Sequence, residues 1–236
     1  FMIFTVTSGY AEIQTEEVQY QQGEVTLKGY LAFDGSIDGK RPGVLVVHEW
    51  WGHNTYARKR AEMLAELGYI ALAVDMYGDG KQAEHPDSAK EFSSAVMQDI
   101  GGIGKARFLA ALNLLKEHPK TDPERIAAIG YCFGGGTVLH MARLGLDLDG
   151  VVSFHGGLAT QTYIEPGAVK ARILVCNGAD DTFVTPEEIE AFKNEMDEAH
   201  VDYKFINYEG AVHSFTNPQA DEFAEKFNLS IAYNAD

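Results

Sequence analysis

The sequence predicts an α/β domain: a mostly parallel central sheet, helices on both faces, and an antiparallel hairpin at the amino-terminal end. Three observations carry that expectation. After Pro42, short continuous apolar runs alternate with segments of helical periodicity, the order that builds a parallel sheet covered on both sides. Before Pro42, residues 25–33 alternate loosely and follow a second strand-like run at 18–20, which reads as a hairpin at a sheet edge. At 236 residues the chain is long enough for one large core. The expectation is a single domain over 1–236, with no repeat or low-complexity linker, and with residues 1–15 set apart as a signal remnant or disordered arm.

The elements follow in order. Strands are expected at 44–48, 70–75, 126–131, 151–155, 173–176 and 203–208. Asn54 or Thr55 caps a first helix whose apolar positions Ala57, Ala61, Leu64 and Ala65 recur at helical spacing until Gly68. Thr185-Pro186-Glu187-Glu188 has the form of a capping box with proline at the first helical position. Residues 77–87, rich in Gly, Asp and Lys, read as a loop, either a plain surface loop or a lid.

One junction stands out. In Ile129-Gly130-Tyr131-Cys132-Phe133-Gly134-Gly135-Gly136 a strand runs straight into a helical pattern at 137–142. A turn that sharp strains its central residue and excludes bulk two positions to either side, where Gly130 and Gly134 stand. Cys132 would project at the carboxyl end of the sheet, beside a helix N-terminus that favours a thiolate. A glycine-rich turn around an inert buried cysteine would use the same residues.

The chain downstream of the elbow favours the reactive reading. A thiol nucleophile needs a base, and the base an orienting acid. On sheets of the α/β-hydrolase fold these come in the order nucleophile, acid, histidine. Here the strand at 173–176 runs into Gly178-Ala179-Asp180-Asp181, and the strand at 203–208 runs into a loop holding His213. Taken singly, a turn aspartate and a loop histidine are ordinary. Residue type, order and strand-end position agree three times over.

These stretches resemble the dienelactone hydrolase family. The matching segments are His48-Glu49-Trp50-Trp51-Gly52, Val74-Asp75-Met76-Tyr77, Gly130-Tyr131-Cys132-Phe133-Gly134-Gly135, Gly178-Ala179-Asp180-Asp181-Thr182-Phe183-Val184 and His213-Ser214-Phe215. The resemblance implies Asp181, the third residue after Gly178, as the acid. It also implies that Glu49 contacts the resting thiol and that the Trp50 and Phe133 N–H groups form the oxyanion hole. Two places depart from the family pattern. Members that grip a substrate carboxylate carry arginines where this chain has Gly78-Asp79 and Asn217, so the family name does not carry over as the substrate. Members also end with a further helix on the sheet, which implies natural sequence beyond Asp236.

The substrate pocket is expected to be apolar and aromatic. Trp50 and Trp51 are adjacent and are the chain's two tryptophans, and Tyr77, Phe183, Phe215, Phe133 and Tyr131 sit on other rim segments; each could equally be core. With Glu49, the binding candidates are Trp51, Tyr77, Phe183 and Phe215. A net charge of −16 argues against nucleic acid or an anionic membrane surface as partner. Two cysteines make neither a disulfide framework nor a zinc site. The reading is a cysteine-dependent hydrolase of neutral aryl esters or lactones, with a metal-independent phosphotriesterase side activity. It expects no metal or organic cofactor, and a monomer or homodimer. The cytoplasm is the expected compartment, or the periplasm or exterior if the amino end is a signal remnant. A ligand-binding or thiol-sensing relative without turnover would share the elbow. A class I glutamine amidotransferase is disfavoured, because no His-x-Glu pair follows Cys132.

Overall fold

The computed structural model describes residues 12–160 and 164–235. Strands β1 (Ile13–Gln22) and β2 (Val25–Asp34) form the expected hairpin, turning through Gly23 at φ +59°, a left-handed conformation that suits glycine. The hairpin corrects one boundary. Residues 13–15, expected in the amino-terminal arm, are already paired in β1, Ile13 opposite Asp34; the first eleven residues of that arm lie outside the described ones.

From there β3 (Arg41–Val47), β4 (Ile70–Val74), β5 (Thr121–Tyr131), β6 (Gly150–Phe154), β7 (Arg172–Gly178) and β8 (Tyr203–Tyr208) complete an eight-stranded sheet of order β1-β2-β4-β3-β5-β6-β7-β8. Among the described strands, the β1–β2 and β2–β4 pairings are antiparallel and the rest parallel. This is the α/β-hydrolase architecture. Strand β5 starts five residues before the expected 126, because Arg41 and Pro42 pair with Thr121 and Asp122 across an irregularity at Pro42/Gly43.

The helices are α1 (Thr55–Glu66), α2 (Pro86–Met97), α3 (Lys105–Glu117), α4 (Phe133–Arg143), α5 (Pro186–Glu198) and α6 (Ala220–Phe227), with a π-helical turn at Ile100–Gly104 between α2 and α3. Asn54 Oδ1 accepts from Ala57 N at the start of α1, and Gly68, at φ +91°, follows its end. The capping box of α5 is complete: Thr185 and Glu188 each bond the other's backbone N–H.

Two cores follow from this layering. Phe108 and Leu115 of α3, Val138 and Met141 of α4, and Phe192 and Met196 of α5 bury one sheet face. Helix α1 covers the other with Ala57, Ala61 and Ala65, small residues that let its backbone lie close. Ala61→Leu would overpack that contact at a cost of about 1–3 kcal/mol. Beyond α1, residues on its face of β5–β8 such as Ile129, Phe154, Leu174 and Ile206 are only half-buried. Among the described residues no helix is long and apolar enough to cross a membrane.

Candidate active site

Cys132 occupies the junction of β5 and α4 at φ +52°, ψ −114°, a region that side-chain-bearing residues enter only under constraint. The constraint is glycine packing. A Cβ at Gly130 would overlap the Gly134 carbonyl, and one at Gly134 would overlap the carbonyls of Val47 and His48. The elbow is thereby seated against the end of β3, and Cys132 remains partly exposed. Phe133 opens α4, so its N–H has no acceptor within the helix.

Asp181 and His213 lie just past the ends of β7 and β8. His213 Nδ1 lies 2.8 Å from Asp181 Oδ2, both side chains buried. Burial works against the imidazolium, yet the charge of Cys132 and the bond to Asp181 outweigh it, and the His213 pKa is pushed up to about 10. Asp181 Oδ1 accepts from Phe183 N at 2.8 Å, which fixes the carboxylate. Asp180 is exposed, with its N–H given to Ala211 O.

The 48–52 loop is anchored at several points. His48, fully buried, accepts from Met76 N at Nε2 (3.3 Å), so its Nδ1–H donates to Glu49 O at 2.6 Å. In a trans peptide the N–H points opposite the carbonyl, so this bond also orients the Trp50 N–H. Asp75 gathers the next loop, accepting from Lys28 N, Tyr77 N, Gly78 N and Gly80 N. The 77–85 loop in turn bridges the 48–52 loop through Gly52 and Gln82 and through Ala83 N to Trp51 O.

Glu49 needs a correction. Expected against the thiol, its carboxylate accepts instead from Ser214 Oγ at 3.1 Å and Asn217 Nδ2 at 2.7 Å. A buried carboxylate requires donors, and these two supply one for each oxygen. Burial raises its pKa against the pull of those bonds and of the His213 charge.

The aromatic candidates divide. Tyr77 packs on His48 and Phe133 and donates its hydroxyl to Trp50 O. Phe183 is 56 % exposed, its ring 4.9 Å from that of His213. Trp51, by contrast, is 3 % exposed and stacked on Phe223 and Phe227 of α6, so its ring packs α6 rather than walling a pocket. Phe215 rests on His155 and Tyr208 and lines a cleft of about 830 Å³ between α1 and the end of β8, with Tyr56, Arg60 and Thr216. Near Gly78, the Arg107 guanidinium is engaged with Met76 O at 2.7 Å. Sequence reasoning does not single out His48, Ser214, Thr216 or His155. His48 and Ser214 lie inside motif segments, while nothing in the spacing ties Thr216 or His155 to the elbow.

A family model described as "Dienelactone hydrolase family" matches residues 27–236. The chain belongs to the dienelactone hydrolase family. Among solved structures, this family member is similar to m3DLH (39 % identity, TM-score 0.88) and to a dienelactone hydrolase-like promiscuous phosphotriesterase from metagenomic libraries (36 % identity, TM-score 0.85), each match covering 94 % of this chain and 91 % of the other. It is 29 % identical to "Protein usf" of Aquifex pyrophilus, over 92 % of this chain and 94 % of that one. Like its family, it is a hydrolase of the ester and lactone class.

Proposed function

We propose that this enzyme hydrolyses neutral esters, aryl esters and lactones foremost, through Cys132, His213 and Asp181. One observation carries the reading: His213 is hydrogen-bonded to Asp181 at 2.8 Å, and the charge of Cys132 at the elbow is the strongest influence raising its pKa. Asp181 holds the imidazole in place, and His213 ion-pairs with the thiolate. The Cys132 sulfur attacks the carbonyl carbon, and the N–H groups of Phe133 and Trp50 hold the oxyanion. As the carbon–oxygen bond breaks, His213 gives its proton to the departing alkoxide or phenoxide. Water then cleaves the thioester with His213 as base, restoring the thiolate and imidazolium.

A neutral aryl phosphotriester fits the same sequence. Sulfur attacks phosphorus, aryloxide leaves with the His213 proton, and water cleaves the phosphorus–sulfur bond to release a diester acid. The thiolate is a better leaving group than a serine alkoxide, which favours turnover over trapping. A structural relative at 36 % identity is described as a promiscuous phosphotriesterase, which supports this as a weaker secondary activity.

Both parts are tested in one assay. Cys132→Ala, folded by circular dichroism, is expected to lose hydrolysis of an aryl acetate and of an aryl phosphotriester, while the wild type turns over both repeatedly after chelator treatment. Retained activity in folded Cys132→Ala would sink the mechanism. A single stoichiometric burst of aryloxide from the phosphotriester would sink the secondary activity alone.

A further inference from the structure

His155 follows β6 directly and meets the elbow. The Cys132 N–H is shared between Phe154 O at 3.0 Å and His155 Nδ1 at 3.1 Å. On the far side of the ring, His155 Nε2 lies 2.8 Å from Thr216 Oγ1, which lies 2.7 Å from the Tyr56 hydroxyl. We propose that His155 is a positioning residue for the nucleophile: its Nδ1 accepts the Cys132 N–H, and Thr216, backed by Tyr56, holds the ring in the tautomer able to do so. This rests on the reading of Cys132 as nucleophile.

The chemistry leaves one arrangement. A backbone N–H can only donate, so Nδ1 must carry a lone pair and the ring proton must sit on Nε2. That Nε2–H donates to Thr216 Oγ1, and the threonine and tyrosine hydroxyls share the next hydrogen. A doubly protonated ring would set Nδ1–H against the Cys132 N–H, donor against donor. Complete burial, reinforced by the charge of His213 with its ring 5.1 Å away, keeps the His155 pKa well below the usual histidine range.

The backbone argues for the same role. Cys132 at φ +52° and His155 at φ +40° are both left-handed and not glycine, and they are bonded to each other. Their approach depends on glycine: a Cβ at Gly156 would lie 2.6 Å from Gly135 C and Gly136 N in the first turn of α4. The packing of Gly130 and Gly134 forces the turn at Cys132, and the bond from the Cys132 N–H ties the left-handed His155 to it. The angle at Cys132 sets where Sγ points and where the following Phe133 N–H points, so slack at His155 is expected in the chemical step rather than in substrate binding.

Three variants test this: His155→Leu removes the acceptor, His155→Asn returns an oxygen near the Nδ1 position and tolerates positive φ, and Thr216→Val releases the tautomer. For an aryl acetate, His155→Leu is expected to lower kcat about tenfold or more with KM within about twofold. His155→Asn is expected to recover most of that loss, and Thr216→Val to fall between. Alkylation of Cys132 by iodoacetamide, followed by peptide mass spectrometry, is expected to slow in the same order. Equal losses in the Leu and Asn variants, or a loss confined to KM, would overturn the proposal. If His155→Leu does not fold, Thr216→Val decides: lowered kcat supports the role, wild-type kcat refutes it. The alkylation series needs no turnover. A wild type inactive on esters with the Asn–Leu split intact would sink the hydrolytic reading alone, and an active wild type without the split would sink this one alone.

Discussion

Asn217 donates its side-chain amide to Glu49 at 2.7 Å, joining two loops that lie 168 positions apart in the chain. Glu49 opens the loop that carries the Trp50 N–H, and Asn217 closes the loop that carries His213. Ser214 makes a parallel contact to the other Glu49 oxygen. A fully buried carboxylate thus acts as a clamp between the loop of Trp50 and the loop of His213.

Asn217→Ala is expected to destabilise the protein by about 2 kcal/mol, since hydrogen bonds to buried charged groups are worth more than neutral ones. The burial that already raises the Glu49 pKa would then be opposed by fewer donors. Urea unfolding monitored by tryptophan fluorescence reads the change. A midpoint equal to wild type would mean that the clamp contributes nothing.

The two adjacent aspartates are expected to behave differently. Asp181→Asn removes the acceptor that orients His213 and is expected to lower kcat by about three to four orders of magnitude. Asp180 is exposed, and Asp180→Asn is expected to leave kcat within about twofold, as surface changes usually do. Equal losses, or the reverse ranking, would move the acid by one position.

The imidazole of His213 should keep its proton well past the ordinary histidine midpoint of 6.5 and release it only near pH 10. Below that midpoint the proton is available to the leaving group; above it ester turnover should fall. In Cys132→Ala the largest upward influence disappears while burial remains, so the midpoint should drop. Imidazole titration by NMR in the two proteins checks both statements. An unchanged midpoint in the variant would show that Cys132 does not charge-pair with His213.

Substrate charge should discriminate strongly. Gly78 and Asn217 stand where a carboxylate grip would need arginines, Arg107 is already engaged with Met76 O, and the chain carries −16. Arg60, on the cleft, is engaged with Thr216 O, so a carboxylate-bearing lactone would enter without a free arginine to pair it. Its kcat/KM is expected to be lower than that of phenyl acetate by about tenfold or more. The opposite ranking would mean that a cation such as Arg60 or Lys59 reaches the substrate carboxylate.

Much of this was legible in the sequence, and for local reasons. The parallel strands declared themselves as apolar runs, the α5 cap as a four-residue code, and the elbow as glycines spaced around Cys132, because each depends on contacts between near neighbours. Even Asp181 and His213 could be located, since strand ends fall on one rim whatever the helices do. The 49–217 and 49–214 bonds could not be read, and neither could the bond from Cys132 to His155. Polar partners joined across many residues leave no periodic trace in a sequence; any of the eight histidines could have sat under the elbow. The same limit separates the aromatics. Trp50 and Trp51 are neighbours in sequence, but only the position of α6 decides that Trp51 is buried by Phe223 and Phe227. The chemistry of single residues and their nearest neighbours was written in the chain; which buried donor meets which acceptor was decided only by the packing of distant loops, where an unmet polar group costs too much to be left alone.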